Sequence, residues 1–246
     1  MRVAWVTHHV ERNLEAQWAL PDGVGGAEMC DAAMIEHRPD GVDVTVIQPD
    51  AWQQALDYDR IVVTGTDLLT DEAMLALAEP NPIVWVHHQQ APNPARAALF
   101  AAAAPFVTMS DLHGTVERAW SGVDSLVNHG WIDPDDVAPA EKTHDTLWAA
   151  RSHPQKGLMG ARMWAQSHGR TLTELTNVPR GTVLDAMAHH RTFVFLPKGL
   201  DACPRTLIEA ELAGCEIVTN AQAGRREAGD IRQVLADQVT RFWGWL

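Results

Sequence analysis

Apolar residues along this chain cluster in short runs set between amphipathic segments. In the first half the runs are VAWV (3–6), VDVTVI (42–47), RIVVTG (60–65), PIVWVHH (82–88) and APFVTMS (104–110). The stretches AEMCDAAMIEH (27–37), DEAMLALAE (71–79) and NPARAALFAAA (93–103) separate them and are rich in Ala, Leu and Met, which favour helix. Continuously apolar strands spaced by helices predict a parallel sheet covered on both faces. SLVNHGWIDPDDVAPAEKTHD (125–145) breaks the pattern with Asp-Pro and Ala-Pro steps, which suit a linker. The alternation then resumes. Strands are expected at TLWAA (146–150), TLTEL (171–175), TFVFLP (192–197) and CEIVTN (215–220). Helices are expected at 157–169, 181–190 and 204–214, the last opened by Pro204 and closed by Gly214. The terminal segment DIRQVLADQVTRFWGWL places Ile231, Val234, Leu235, Val239, Phe242 and Trp243 near helical spacing.

This pattern predicts an α/β chain of two Rossmann-like domains facing each other across a cleft. The first spans 1–128, a linker 129–145, and the second 146–230. A helix at 231–246 is expected to cover apolar surface, with a return to the first domain as one option. In such sheets ligands gather beyond the carboxyl ends of the strands.

Composition narrows the function classes. The chain has 246 residues, 46% of them hydrophobic and 21% charged, values ordinary for a globular protein. No apolar run is long enough for a membrane span, and MRVAWVTHHVER lacks a signal-like core, so the reading is a cytoplasmic protein without integral membrane contact. Cys30, Cys203 and Cys215 are too few and too scattered for a disulfide framework or a structural zinc site. Of the net charge of −13, residues 1–128 hold six Arg/Lys against eighteen Asp/Glu, whereas 129–246 hold thirteen against fourteen. The acidic first half is a poor partner for nucleic-acid phosphates or anionic lipid, and the second half has cations enough for a small phosphorylated ligand.

Four segments carry candidate chemistry. In FVFLPKGLDACPRTLIEAELAGCEIVTN (193–220), a strand leads through Asp201 to a helix bearing Glu209. The backbone amides of Arg205, Thr206 and Leu207 would open that helix, where unpaired N–H groups and the dipole favour an anion. Carboxylates eight positions apart can bracket a polyhydroxyl ligand. This segment resembles the C-terminal signature of the retaining, GT-B-fold glycosyltransferases of family four (glycosyl transferases group 1). That signature is an acid, seven residues, a Glu, then Ala, a small-residue turn and a Val-rich strand. The resemblance implies that Glu209 binds the ribose of a nucleotide, that Asp201 contacts the transferred sugar, and that the Arg205–Leu207 backbone cradles a phosphate. Asp201 stands where the family usually has Glu.

WAARSHPQKGLMGARMWA (148–165) resembles the family's strand–Gly-Arg–loop–Lys-Gly–helix element, with Ala150 in place of the Gly. The resemblance implies that Arg151 and Lys156 neutralise a leaving diphosphate. GVGGAEMCDAAMI (23–35) resembles the N-domain loop that touches the donor phosphate and sugar, which marks Gly25 and Gly26. VWVHHQ (84–89) resembles the strand end where the family places a His near the transferred sugar. His88 is preferred slightly over His87, which is read, like His8 and His9 after the first strand, as acceptor-side. SDLHGTVERAW (110–120) and NHGWID (128–133) resemble the family's serine-started helix and its crossover. TNVPRG (176–181) would put Asn177 and Val178 beside the nucleobase.

The resemblance implies a nucleotide-sugar donor of UDP or GDP type as substrate, no separate cofactor, no metal, and transfer to an acceptor hydroxyl with retention of configuration. The His pairs also lack the spacing of a zinc helix. At 246 residues the chain is short for the family and resembles compact, phage-encoded members. The acceptor stays open between a small molecule, a glycan, a protein side chain and a modified DNA base. A sugar-nucleotide epimerase and a non-catalytic nucleotide-sugar-binding protein are the rival readings.

Overall fold

The computed structural model describes residues 1–8 and 26–246. These fall into two compact units, one containing 26–131 with both chain ends (1–8 and 235–246), the other 132–234.

The first unit is built on a six-stranded parallel sheet of β1 (Arg2–Val6), β2 (Asp43–Ile47), β3 (Arg60–Val63), β4 (Ile83–Val86), β5 (Phe106–Thr108) and β6 (Leu126–Val127), ordered β2-β1-β3-β4-β5-β6. Because side chains alternate across a strand, one face presents Ala4, Val6, Ile61, Val63, Val84 and Val86. These pack with Leu69 and with residues of α2 (Asp71–Ala78) and α3 (Pro94–Ala102), including Met74, Leu77, Leu99 and Phe100. The other face presents Trp5 and Trp85. Phe242 of α8 (Ile231–Trp243) packs 5.4 Å and 5.2 Å from their ring centres, and Trp243 donates from Nε1 to the Met34 carbonyl of α1 (Gly26–Glu36) at 3.1 Å. Burying three such aromatic rings is a large apolar contribution, which explains why the terminal helix ends on this sheet. Thr70, Asn93 and Ser110 cap α2, α3 and α4 (Asp111–Ser121), each accepting from the amide three residues on.

The second unit holds a four-stranded parallel sheet of β7 (His144–Ala150), β8 (Leu172–Thr176), β9 (His190–Phe195) and β10 (Glu216–Thr219), ordered β10-β9-β7-β8. Trp148, Ala161 and Val194 form its buried centre, against Leu158, Trp164, Leu172, Leu196 and Val218. Helices α5 (Leu158–Ser167), α6 (Arg180–His189) and α7 (Arg205–Leu212) flank the sheet in chain order. Lys142 Nζ donates to the Met187 carbonyl at 2.9 Å and the Ala213 carbonyl at 2.5 Å. One cation thus caps the ends of α6 and α7, where the dipole favours positive charge.

Several expected boundaries move. The strand read as 192–197 stops at Phe195, because Leu196–Pro197 turns into the loop toward Asp201. The stretch read as linker contains a 3-10 turn at Pro134–Asp136 and the first two residues of β7. A 3-10 segment at Pro49–Asp57 and the two-residue β6 lack the length or periodicity that marks an element in sequence.

His190 gives this unit a pH dependence. Its Nδ1–H donates to the Ala186 carbonyl at 2.6 Å, and in the neutral ring Nε2 accepts from Thr173 Oγ1 at 3.0 Å. Burial pushes the imidazole below its ordinary pKa. The bond to Ala186 opposes this, and the charges of His144, His189 and Lys142 add to the lowering. The unfolded chain therefore takes up this proton first, at about pH 6.5, and the folded form loses stability as pH falls below that value. The difference in melting temperature between pH 7.5 and pH 5 should be smaller in His190→Gln than in the parent. An identical difference removes His190 from the cause.

Candidate functional site

The second unit brings the predicted cationic and acidic elements together at the carboxyl ends of β7 and β9. After β7 the chain runs through a 3-10 turn, Pro154–Lys156, to Gly157. Gly157 has φ +78°, and a Cβ there would overlap the Leu196 carbonyl, so only glycine lets this turn lie against the end of β9. Trp148 Nε1 donates to the Lys156 carbonyl at 3.2 Å, and the Lys198 amide donates to the Gln155 carbonyl at 2.9 Å. Lys156 is thereby aimed at the loop after β9, where its Nζ meets Asp201 Oδ2 at 2.5 Å and lies 5.9 Å from the centre of the Phe195 ring. The Lys156 and Asp201 side chains are 35% and 16% exposed, so the pair is reachable from solvent. Asp201 is held from its other side as well: its amide donates to the Gln222 carbonyl at 2.9 Å, and its carbonyl accepts from Gly224 at 2.7 Å.

Beyond Asp201, Pro204 precedes α7. Proline offers no capping side chain, so the first turn of α7 is left without a side-chain cap. Leu207 N–H donates to the Pro204 carbonyl at 3.0 Å in a tight 3-10-like first turn, so this one of the three amides expected to cradle a phosphate has a protein partner.

Glu209 is more enclosed than a hydroxyl-binding carboxylate on an open surface. Its side chain is 5% exposed, its Oε1 accepts from Arg180 Nε at 2.9 Å, and Arg205 Nη2 lies at 3.8 Å. Arg180, at the start of α6, also donates to Asp136 Oδ2 at 3.0 Å. Burial pulls the Arg180 guanidinium pKa down, but the charges and hydrogen bonds of Glu209 and Asp136 outweigh it and raise it overall. Sequence reasoning missed Arg180. A signal was present: a cation in the first turn of a helix opposes the dipole and calls for an acidic partner.

The remaining residues predicted for this half are more dispersed. Arg151 is exposed at the first position after β7. Asn177 adopts φ +52°, and its Oδ1 accepts from the Ser152 amide at 2.8 Å, tying the loop after β8 to the loop after β7. Val178 follows it, half-buried. A separate cavity of about 510 Å³ lies against another side of α7, lined by Cys203, Leu207, Ile208 and Ile217 among others, and includes none of Lys156, Asp201, Arg180 and Glu209.

In the first unit the two histidines after β4 turn to different partners. His87 is buried, with Nε2 2.9 Å from Asp31 Oδ1, and the hydroxyls of Thr7 and Thr64 donate to Asp31 Oδ2 at 2.8 Å and 2.7 Å. His88 is exposed, with Nε2 2.5 Å from Asp67 Oδ2. Burial pushes the Asp67 carboxyl up, but the hydrogen bond and charge of His88, with Arg96 and His8, hold it below the usual carboxylate range. Asp31 was not singled out in the sequence, although it shares a helix face with Met34 and Ile35, three and four positions on, where an acid needs buried donors. His8 lies close to Gly65, and Gly26 begins α1. His9 and Gly25 fall outside the described residues. Among the described residues, no group of three or more His, Cys, Asp or Glu could hold a metal ion, and no helix is long and apolar enough to cross a membrane.

No family model matches the chain, and no curated protein matches it by sequence. Solved structures do match over nearly its whole length. AviGT4, a glycosyltransferase involved in avilamycin A biosynthesis, aligns with a TM-score of 0.63 at 16% identity, covering 98% of this chain and 91% of its own. WaaG, a glycosyltransferase involved in lipopolysaccharide biosynthesis, aligns at 0.58 and 12% identity, covering 99% and 92%. Anabaena HepE in complex with UDP and glucose aligns at 0.57 and 13% identity, covering 98% and 90%. The chain therefore has the α/β fold of GT-B glycosyltransferases, with parallel sheets.

Proposed function

We propose that this protein transfers a sugar from a nucleoside diphosphate to an acceptor hydroxyl, with retention of anomeric configuration. The observation that carries the reading is the convergence of Lys156, Asp201, the uncapped start of α7 and Glu209 at the ends of β7 and β9. In this reading Lys156, Arg151 and the amides of Arg205 and Thr206 take the diphosphate. Asp201, already oriented by Lys156, accepts hydrogen bonds from the sugar. Glu209 takes the ribose hydroxyls through Oε2, with Arg180 holding Oε1. Asn177 with Val178 would line the base. Charge grows on the diphosphate as the bond to the anomeric carbon breaks, and fixed cations and amides stabilise it best when aimed in advance.

HepE's complex with UDP and glucose supports a UDP donor, since that fold accommodates one. Its likeness to this chain is one of fold, and UDP is the first donor to test, with GDP second. The excess of Asp and Glu in residues 1–128 favours a small polyol, glycan or protein side chain as acceptor. A second reading, glycosylation of a modified DNA base, draws on the similarity in fold (TM-score 0.51, 11% identity) to an alpha-glucosyltransferase solved with UDP and a 13-mer DNA containing an HMU base. The transfer step needs no resident cofactor.

A thermal-shift screen over UDP-, GDP- and ADP-sugars tests the donor half. A donor at a hundred times its Kd contributes about 2.7 kcal/mol, which for a chain of this size raises Tm by roughly 5–10 °C. No shift with any of the three at millimolar concentration sinks the reading. Proton NMR of the anomeric product then decides retention, and conversion of the donor alone to an isomer would identify an epimerase instead.

A further inference from the structure

The cation that opens α6 sits where a helix by itself disfavours one. Arg180 is the first residue of that helix, and Pro179 before it supplies no side-chain cap. A positive charge there opposes the helix dipole. The guanidinium instead meets two carboxylates from separate segments. Its Nε donates to Glu209 Oε1 of α7 at 2.9 Å, and its Nη1 donates to Asp136 Oδ2 at 3.0 Å. Its Nη2 is buried and has no hydrogen-bond partner, which is a further loss. Lys142 shows the contrast, since its ammonium caps the ends of α6 and α7, where the dipole favours positive charge. Helix stability therefore does not account for Arg180.

Its two partners differ in setting. The Asp136 side chain is 47% exposed and ends the 3-10 turn Pro134–Asp136. That turn is held from within: Asp133 Oδ1 accepts from the Asp135 amide at 2.9 Å, and the Asp136 amide donates to the Asp133 carbonyl at 3.2 Å. Glu209 is enclosed, and an enclosed carboxylate needs a fixed countercharge. A guanidinium is planar and rigid, so anchoring it at Nη1 sets the direction from which Nε reaches Glu209. One Glu209 oxygen is thereby taken. The other, Oε2, accepts from no donor among the described residues and is not sealed from solvent. What remains is an acceptor oxygen of fixed direction in an enclosed place, which suits a hydroxyl group. Asp136, Arg180 and Glu209 all belong to the second unit.

We propose that Asp136 and Arg180 are positioning residues that make this site select a ribonucleotide over its deoxy forms. The proposal rests on the nucleotide-sugar reading above, and adds to it the selection and the two residues responsible. Asp136 anchors the guanidinium, the guanidinium holds Glu209 Oε1, and Oε2 is left aimed at a ribose hydroxyl, which donates to it. A nucleotide lacking that hydroxyl leaves Oε2 unmet in an enclosed place. An unmet buried acceptor discriminates more strongly than a contact missing from an open surface. Arg180 acts through Glu209 and not on the diphosphate, so its effect falls on the sugar of the nucleotide alone.

Calorimetric Kd values for UDP and 2′,3′-dideoxy-UDP read the selection, with the GDP or ADP pair in their place where the thermal-shift screen chooses one of those. The parent should bind the ribonucleotide about 10–100-fold more tightly, the range of a hydrogen bond to a charged group. Arg180→Gln should bring the two Kd values within about threefold, by weakening the ribonucleotide and leaving the dideoxy form nearly unchanged. Asp136→Asn should move the ratio the same way by a smaller factor. Glu209→Gln should remove the selection, and adding Arg180→Gln to it should change the ratio by less than about twofold, as expected of groups that act through one contact. Arg180→Lys, a point charge that cannot span both carboxylates, should give an intermediate ratio and serves if Arg180→Gln does not fold. Equal weakening of both nucleotides in the Arg180 variants, an unchanged ratio, or an Arg180 effect that persists beside Glu209→Gln overturns the proposal. A parent that binds UDP without preferring it to the dideoxy form overturns it too, and leaves the transfer reading standing. Selection in a protein that transfers no sugar sinks the transfer reading alone, and a parent that binds none of the three nucleotides sinks both.

Discussion

Lys156→Ala is expected to lower UDP release by about 10²–10³-fold, the usual loss on removing one group that meets developing charge, and to weaken nucleotide binding far less. The reason lies in where the ammonium sits. It is 35% exposed, so in the resting protein water already solvates much of its charge. Its partner Asp201 keeps it aimed, at 2.5 Å, rather than buried and spent. Ground-state binding can draw on the amides of Arg205 and Thr206 and on Arg151. The extra charge on the diphosphate in the transition state needs a cation already in place. The variant also leaves Asp201 without its cation, which sets an acid against the incoming phosphates. Rates of UDP release under saturating donor, set beside calorimetric UDP affinities, check the split. Turnover within threefold of the parent would falsify the assignment of Lys156 to the leaving group.

Gly157→Ala should be the most damaging single methyl in the second unit. Two penalties coincide there. A residue with a Cβ at φ +78° is strained, by about 1–3 kcal/mol, and this Cβ would overlap the Leu196 carbonyl, which belongs to backbone and cannot rotate aside. The turn must therefore lift off the end of β9, carrying Lys156 away from Asp201. A loss of about 3 kcal/mol corresponds to a Tm lower by roughly 6–12 °C at this chain length, with UDP release falling alongside. Gly169→Ala is the control, because φ there is +64° but nothing lies within 4 Å of the added methyl. It should show the dihedral penalty alone, with turnover unchanged. Equal Tm values for the two variants would show that the approach to Leu196 does not matter.

Much of this was legible before any coordinates. The runs read as strands at 3–6, 60–65, 82–88 and 192–197 contain most of Arg2–Val6, Arg60–Val63, Ile83–Val86 and His190–Phe195, because a strand buried on both faces is apolar along most of its length. The spacing of Asp201 and Glu209, and of Arg151 and Lys156, matches the family resemblance and led to the expectation of an anionic, hydroxyl-bearing ligand in the second half. The His87–His88 doublet was visible as chemistry, but not which ring faced outward. That depends on the backbone direction just past β4, where the regular alternation of the strand has ended. Asp31 and Asp67 were overlooked for a related reason: each matters through a partner brought to it by another strand end, and a residue type does not announce such a partner.

The order of apolar and polar positions therefore determined the two parallel sheets and the segments that carry acids and cations, since periodicity and helix ends are properties of neighbours along the chain. Tertiary structure alone decided the pairings: Lys156 with Asp201 across 45 residues, Arg180 with Glu209 across 29, and His88 with Asp67 across 21. Charged groups choose partners by distance through space and by the desolvation each suffers on burial, and strand order sets both.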